Sequence, residues 1–303
     1  MREVFSKCLL NSAKMNKNFL VLTGDHGYGI FDKFKKKYKS QFINAGVAEQ
    51  NMVGVAAGLS RLGFIPLVYG LSSFIPLRVY EQIKLDVAHD NLKVIFIGDG
   101  AGVVYSYLGT SHQSNEDIAC VRAIPNIKIF SPADVYEMQY CYDEALKTNG
   151  PSYIRIGKSD LGPVHKKKIK NKTINSILKI KINKDSNISL IATGSMVVKA
   201  LKISEILNCS VFSVPNLKPI NKKQIYDLFS KNKYLITLEE HSVLGGLGSI
   251  ICEISAKYAL SKVLTIGVED MFTEKCGNYE YTLGSIGLGE KKILNKIKRF
   301  INY

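Results

Sequence analysis

Residues 42–64, FINAGVAEQNMVGVAAGLSRLGF, constrain the fold more than any other stretch of this chain. A short apolar run ends at Asn44, Gly46 breaks it, and Met52, Val55, Ala56 and Leu59 then recur at the i, i+3, i+4, i+7 spacing of a helix with one buried face. The stretch therefore reads strand, turn, helix, the repeating unit of an α/β layer. Glu49 falls in the first turn of the helix, on the stripe that enters the core. The helix N-terminus favours its charged form and burial disfavours it, so this carboxylate is expected to be poised for proton traffic and not free in water. The competing structural reading is a first-turn glutamate that only complements the helix dipole. Gly54, Ala57 and Gly58 keep the helix narrow, as expected at a domain or subunit seam.

The same alternation runs along the chain. MREVFSKCLLNSAKM opens as a helix, and Phe19 to Leu22 reads as a strand whose Gly-rich end carries Asp25 and His26, at the edge where open α/β sheets bind ligands. FIPLVYGLSSF reads as a strand with a loop at its end, and RVYEQIKLDVAHD as a helix with Val79, Ile83 and Val87 on one side. VIFI is a buried parallel strand running into GDGAG, with Asp99 read as a loop residue. SPADVYEM is expected to start a helix capped by Ser131 with Pro132 at its first position, and GPSYIRIGKSD adds a strand with Arg155 and Lys158 near its end. Residues 163–187 are polar and lysine-rich and read as a linker, which divides the chain into domains at 1–162 and 188–303. A second series of apolar strands and helices follows, predicting a small parallel sheet and hence two doubly wound α/β domains. Within it Glu240 and His241 stand at a strand end before a Gly-rich turn, and their structural reading is preferred over an acid and base pair.

At 303 residues the chain is large enough for two cores. No apolar run approaches the roughly 20 residues of a membrane span. Charges interrupt the segment MREVFSKCLLNSAKMNKNF where a signal peptide would be apolar, so a cytoplasmic protein is expected. The six cysteines are scattered without a CxxC pair, which argues against a zinc site or a disulfide framework and predicts ordinary buried thiols. The net charge of +15 comes from separate lysine clusters, FKKKYK, HKKKIKNK and KKILNKIKR. They predict a solvated surface and not a nucleic-acid stripe, while leaving room for an acidic partner or phosphorylated substrates.

The segment GVAEQNMVGVAAGLSRLG is similar to the pyrimidine-binding segment of the transketolase family of thiamine diphosphate enzymes, which includes deoxyxylulose phosphate synthase. The resemblance extends through TSHQSNED, RAIPNIKIFSPAD and LEEHSVLGGLGSIICE, over almost the whole chain. It implies a pyrimidine-binding domain followed by a transketolase C-terminal domain. It further implies that Glu49 hydrogen-bonds N1′ of the cofactor's aminopyrimidine and so assists removal of the thiazolium C2 proton. Phe74, with Tyr69 second, matches the aromatics that stack on the aminopyrimidine, and Asp25 matches an aspartate near the cofactor. His112 matches an imidazole that hydrogen-bonds donor oxygens, the other reading being a satisfied loop histidine. Arg2 matches an arginine that helps hold a sugar phosphate, and Lys158, with Arg155 before it, stands where the family has one or two arginines for the same purpose. His26 is a further candidate at the substrate end, and Arg78 and Tyr80 align with a helix at the subunit interface.

Departures from the family are as informative. Gly98 replaces a histidine of the sugar transketolases, and Tyr105, Ser106, Tyr107, Leu108 and Gly109 replace an acidic loop, which implies a different substrate. Thiamine enzymes hold Mg²⁺ and the diphosphate with a GDG turn and a later asparagine pair, but here Asn126 stands alone and the sequence around Asp99 matches the pyrimidine domain. Asp99 is therefore read as a loop residue and no metal ligand is expected in this chain, a metal role for Asp99 being the other reading. The resemblance covers only the second half of an ordinary transketolase. It implies the C-terminal (β) subunit of a split enzyme transferring a two-carbon ketol unit between sugar or sugar phosphate substrates. A separate diphosphate-binding subunit would hold Mg²⁺ in an α₂β₂ heterotetramer. The alternatives are a deoxyxylulose phosphate synthase-like enzyme, a 2-oxo acid dehydrogenase β subunit, and a noncatalytic interaction protein that kept the fold.

Overall fold

The computed structural model describes residues 1–169, 177–258 and 262–302. Its first half supplies β1 (Phe19–Thr23), β2 (Phe42–Asn44), β3 (Ile65–Leu71), β4 (Ile95–Asp99), β5 (Lys128–Phe130) and β6 (Ser152–Ile156). β1, β4 and β6 are buried from end to end, as parallel strands covered by helices on both faces must be. The six run parallel in the order β5-β6-β4-β3-β1-β2, with Val21 opposite Leu67 and Leu67 opposite Ile95. All their carboxyl ends therefore lie along one edge.

Helix Glu49–Arg61 covers one face of this sheet and buries Glu49, Met52, Val53, Ala56 and Ala57. The stripe is rotated slightly from the one expected: Val55 is 40% exposed, and Val53 takes its place in the core. The i, i+3, i+4, i+7 set begins at Glu49 itself, so the carboxylate occupies a core position. Full burial of Met52 and Val53 contributes about 1.5–3 kcal/mol each. Gly54 and Gly58 face open space. The helix after β5 runs Val135–Lys147 and is capped by Asp134, whose side chain accepts the N–H groups of Tyr136 and Glu137 at 2.9 Å. Ser131 is not the cap, because its N–H pairs with the Pro215 carbonyl and keeps the chain extended past β5.

The second half forms β7 (Leu178–Lys181), β8 (Ile188–Ala192), β9 (Ser210–Ser213), β10 (Asn216–Lys218), β11 (Tyr234–Ser242) and β12 (Lys262–Val268). Five of them make a sheet in the order β12-β11-β8-β9-β7, parallel except for β7 against β9. β7 lies inside the stretch expected to be linker, and residues 170–176 of that stretch lie outside the described residues. The two halves also interlock. β10 leaves the second half to pair antiparallel with β5, extending the first sheet to seven strands.

A buried polar joint reinforces that strand exchange. Glu240 accepts hydrogen bonds from the Val103 N–H of the first half and from Ser195 and Tyr279 of the second. His241 accepts the Ala119 N–H at Nε2 and donates from Nδ1 to the Ser242 carbonyl, a neutral imidazole whose pKa burial pushes down to about 4. Both residues join the halves, in keeping with their structural reading. Of the cysteines, Cys8, Cys141 and Cys209 are buried, but Cys252 and Cys276 are exposed and Cys120 is half-buried, which corrects the expectation for those three. No helix among the described residues is long and apolar enough to cross a membrane.

Candidate functional site

Strand ends β1, β2 and β3 build one cluster. Asn44, the last residue of β2, accepts the N–H groups of Asp25 and Gly46 at 3.0 and 3.1 Å, tying the turn after β1 to the turn before Glu49. Asp25 is exposed and adopts a left-handed backbone with φ of 62°. Gly24 is needed here for lack of a side chain: a Cβ would lie 2.9 Å from the Gly46 carbonyl oxygen. The turn thus delivers Glu49 to the first position of its helix with 3% of its surface exposed.

One carboxylate oxygen of Glu49, Oε2, accepts a hydrogen bond from Arg78 Nη1 at 3.0 Å. The other, Oε1, is buried and has no partner. Arg78 also lies over the Phe74 ring, its Cζ 4.0 Å from the centroid. Phe74 follows β3, and the His26 and His112 rings flank it at 5.9 and 5.7 Å. His112 Nδ1 meets the Ser111 hydroxyl at 3.0 Å, and His26 Nδ1 is buried without a partner. Glu49, Phe74, His26 and His112, predicted from four separate stretches of sequence, therefore come together. Arg78 is the member that sequence reasoning assigned elsewhere. Its signal was the spacing of four residues from Phe74, realised as a hydrogen bond from the Arg78 N–H to the Phe74 carbonyl at 3.1 Å.

Tyr69 is not at this cluster. Alternation along β3 turns it to the opposite face, where it lies edge-on to Phe31 at 4.9 Å and is 2% exposed. Its hydroxyl donates to Asp99 Oδ2 at 2.9 Å, as do Arg2 Nη2 at 2.9 Å and the Tyr105 hydroxyl at 3.0 Å. Asp99 is thus the buried last residue of β4 and not a loop residue. Burial, with the neighbouring Asp99, pushes the Tyr105 phenol up to about 12 and raises that of Tyr69, so both remain donors. Among the described residues no three His, Cys, Asp or Glu side chains gather as a metal site.

Arg155 does not reach the cluster either. It is 2% exposed and donates from Nε to Asp117 at 2.8 and 3.0 Å and from Nη2 to the Glu240 carbonyl at 2.7 Å. The expectation that it meets an anionic substrate end gives way to a structural role, bolting β6 to β11. Lys158 is placed differently: its side chain is 28% exposed, pairs with Asp160 at 3.1 Å and lies 5.4 Å from the Tyr279 ring centroid. A cavity of about 620 Å³ lies in the second half, lined in part by Phe212, Gln224 and Leu228, and includes none of these residues.

A planar ligand carrying an N–H donor has an acceptor in Glu49 Oε1 and an apolar face in Phe74, a combination suited to holding an aromatic base. Comparison with known proteins bears on what that ligand is. The family described as transketolase, pyrimidine binding domain, matches residues 1–163, and that described as transketolase, C-terminal domain, matches residues 179–293. A protein of Methanocaldococcus jannaschii provisionally named a transketolase C-terminal section is 34% identical over 98% of this chain and 95% of its own length. The 6-deoxy-6-sulfo-D-fructose transketolase subunit SqwH of a Clostridium species is 29% identical over 97% of this chain and 92% of its own. A solved structure described as a split gene transketolase, inactive beta4 tetramer, superposes with a TM-score of 0.86 at 30% identity, covering 99% of this chain and 97% of that one.

Proposed function

The chain belongs to the transketolase family of thiamine diphosphate-dependent enzymes, and we propose that it is the C-terminal subunit of a split transketolase. The observation that carries this reading is the buried Glu49 carboxylate, one oxygen unpartnered, beside an aromatic ring at the strand edge. Bound thiamine diphosphate supplies the carbon nucleophile of the reaction. The Glu49 carboxyl group would hydrogen-bond N1′ of the cofactor's aminopyrimidine and move a proton to and from that nitrogen, and Phe74 would support the ring face. His112 donates to the oxygens of a ketose donor, and Lys158 with Arg2 neutralises an anionic end of the substrate. Asp25 and His26 border the ring site.

A partner subunit supplies the diphosphate cradle and Mg²⁺, giving a cytoplasmic α₂β₂ enzyme. Support for this comes from the absence of the asparagine pair after GDG in the sequence and from a relative that is itself named a subunit. The reaction is transfer of a two-carbon ketol unit between sugar substrates, with Tyr105–Gly109 in place of the acidic loop shaping which sugar is taken. Domains at 1–162 and 188–303, the second extended back to Leu178 to take in β7, divide the cofactor ring site from the half that braces it.

The test is reconstitution with the diphosphate-binding subunit and assay of ketol transfer to an aldehyde acceptor. Activity that needs both chains and is lost in Glu49→Gln supports the proposal. Turnover by this chain alone, or consumption of pyruvate with release of carbon dioxide, contradicts it, the latter in favour of a synthase.

A further inference from the structure

Glu49 is 3% exposed, so a ligand reaches its carboxylate only if something moves. The side chain standing over it is Arg78, itself 44% exposed. Its guanidinium hydrogen-bonds Glu49 Oε2 at 3.0 Å and stacks at 4.0 Å on Phe74. A planar cation that donates an N–H to one oxygen of this carboxylate and lies on this ring fills the space an aminopyrimidine would take between the two, and leaves the other oxygen without a donor. Glu49 Oε1, sealed from solvent with no partner, is the acceptor left over because the guanidinium satisfies only one oxygen. The Arg78 backbone is held independently of its side chain: its N–H donates to the Phe74 carbonyl and its carbonyl accepts from Gln50 Nε2. The guanidinium can leave without unravelling the turn.

We infer that Arg78 is an internal placeholder for the aminopyrimidine, pairing with Glu49 and covering Phe74 in the unloaded chain and yielding both to the cofactor ring. The inference rests on the function proposed above. It makes cofactor binding an exchange, in which each ring that enters must first release a half-exposed ion pair and a cation–π contact. Removing that competitor strengthens binding, which is the reverse of what deleting an ordinary contact residue does.

The experiment is calorimetric titration of the reconstituted two-subunit enzyme with thiamine diphosphate and Mg²⁺, wild type against Arg78→Met and Arg78→Lys. Methionine keeps the apolar stem but not the cation. Arg78→Met is expected to bind about tenfold more tightly and to associate faster, with Arg78→Lys in between. Equal or weaker binding by a folded Arg78→Met overturns the inference and leaves the functional proposal standing. No binding by the wild-type enzyme overturns both. Should the variants fail to fold, the guanidinium proton signals of wild-type Arg78 give the answer: protection that is lost on saturation with cofactor supports the exchange, and protection that persists contradicts it.

Discussion

Arg155→Met should unfold this protein at a markedly lower temperature without acting through substrate. Asp117, 0% exposed, receives Arg155 Nε at 2.8 and 3.0 Å and the Tyr153 hydroxyl at 2.7 Å. Methionine fills much of the vacated volume but leaves that carboxylate without its countercharge, and the Ser114 and Glu240 carbonyls lose the donor they share. Breaking a buried pair from one side costs about 3–5 kcal/mol. At roughly 2 °C per kcal/mol for a chain of this size, Tm should fall by about 6–10 °C. Asp117→Asn in the same chain removes the stranded charge and should recover part of the loss, a non-additivity that a double-mutant cycle reads directly. Calorimetry of the four proteins is the assay. A Tm within about 1 °C of wild type, together with a raised KM for phosphorylated sugars, would refute the structural assignment and return Arg155 to the substrate.

Gly24→Ala places a Cβ against the Gly46 carbonyl and should cost about 1–3 kcal/mol in urea unfolding while weakening cofactor binding through the displaced Glu49 turn; unchanged values in both would contradict that geometry. His241 is held down to about 4 from its ordinary 6.5, so stability should fall as pH drops through that window, by up to about 3 kcal/mol. Buried Glu239, raised from 4.5 to about 7, has the opposite slope, losing stability as pH rises. His241→Gln should therefore flatten the acid limb of the stability profile, and an unaltered limb would exclude His241 as its source. Lys158→Met should raise KM for a phosphorylated donor about tenfold with kcat nearly unchanged, whereas an equal loss on an unphosphorylated sugar would deny it an anion-binding role. Because β10 ties the second half into the first sheet, calorimetry should show one unfolding transition, and two separated transitions would contradict the interlock.

Much of this architecture was legible because its strands are short and apolar and its helices carry clear periodicity. Along the Glu49 helix, Glu49, Met52 and Ala56 fall on the buried stripe as read, whereas Val55 turns outward and Val53 takes its place, because two valines two residues apart cannot be told apart by apolar spacing alone. Tyr69 was misplaced although strand parity alone separates it from Val68, whose side chain packs with Met52. β7 escaped notice because LKIK alternates lysine with apolar residues, the pattern of an edge strand and also of a polar linker. β10 and the Asp117–Arg155 pair depend on partners far along the chain, and sequence spacing carries no trace of them. Arg155 was conspicuous even so: a charge between Ile154 and Ile156 in a fully buried strand requires a buried partner. Glu49, Phe74 and His112, which the fold gathers at one sheet edge, were singled out by the family wording, with the local strand, turn and helix signal adding weight for Glu49 alone.

The most direct test of the account is the rate of deuterium exchange at C2 of thiamine diphosphate bound to the reconstituted enzyme, wild type against Glu49→Gln. The account predicts exchange slower by about a hundredfold or more in the variant with the cofactor still bound. Equal rates would mean that the buried carboxylate of Glu49 does not govern the cofactor, and the assignment of this site would fail.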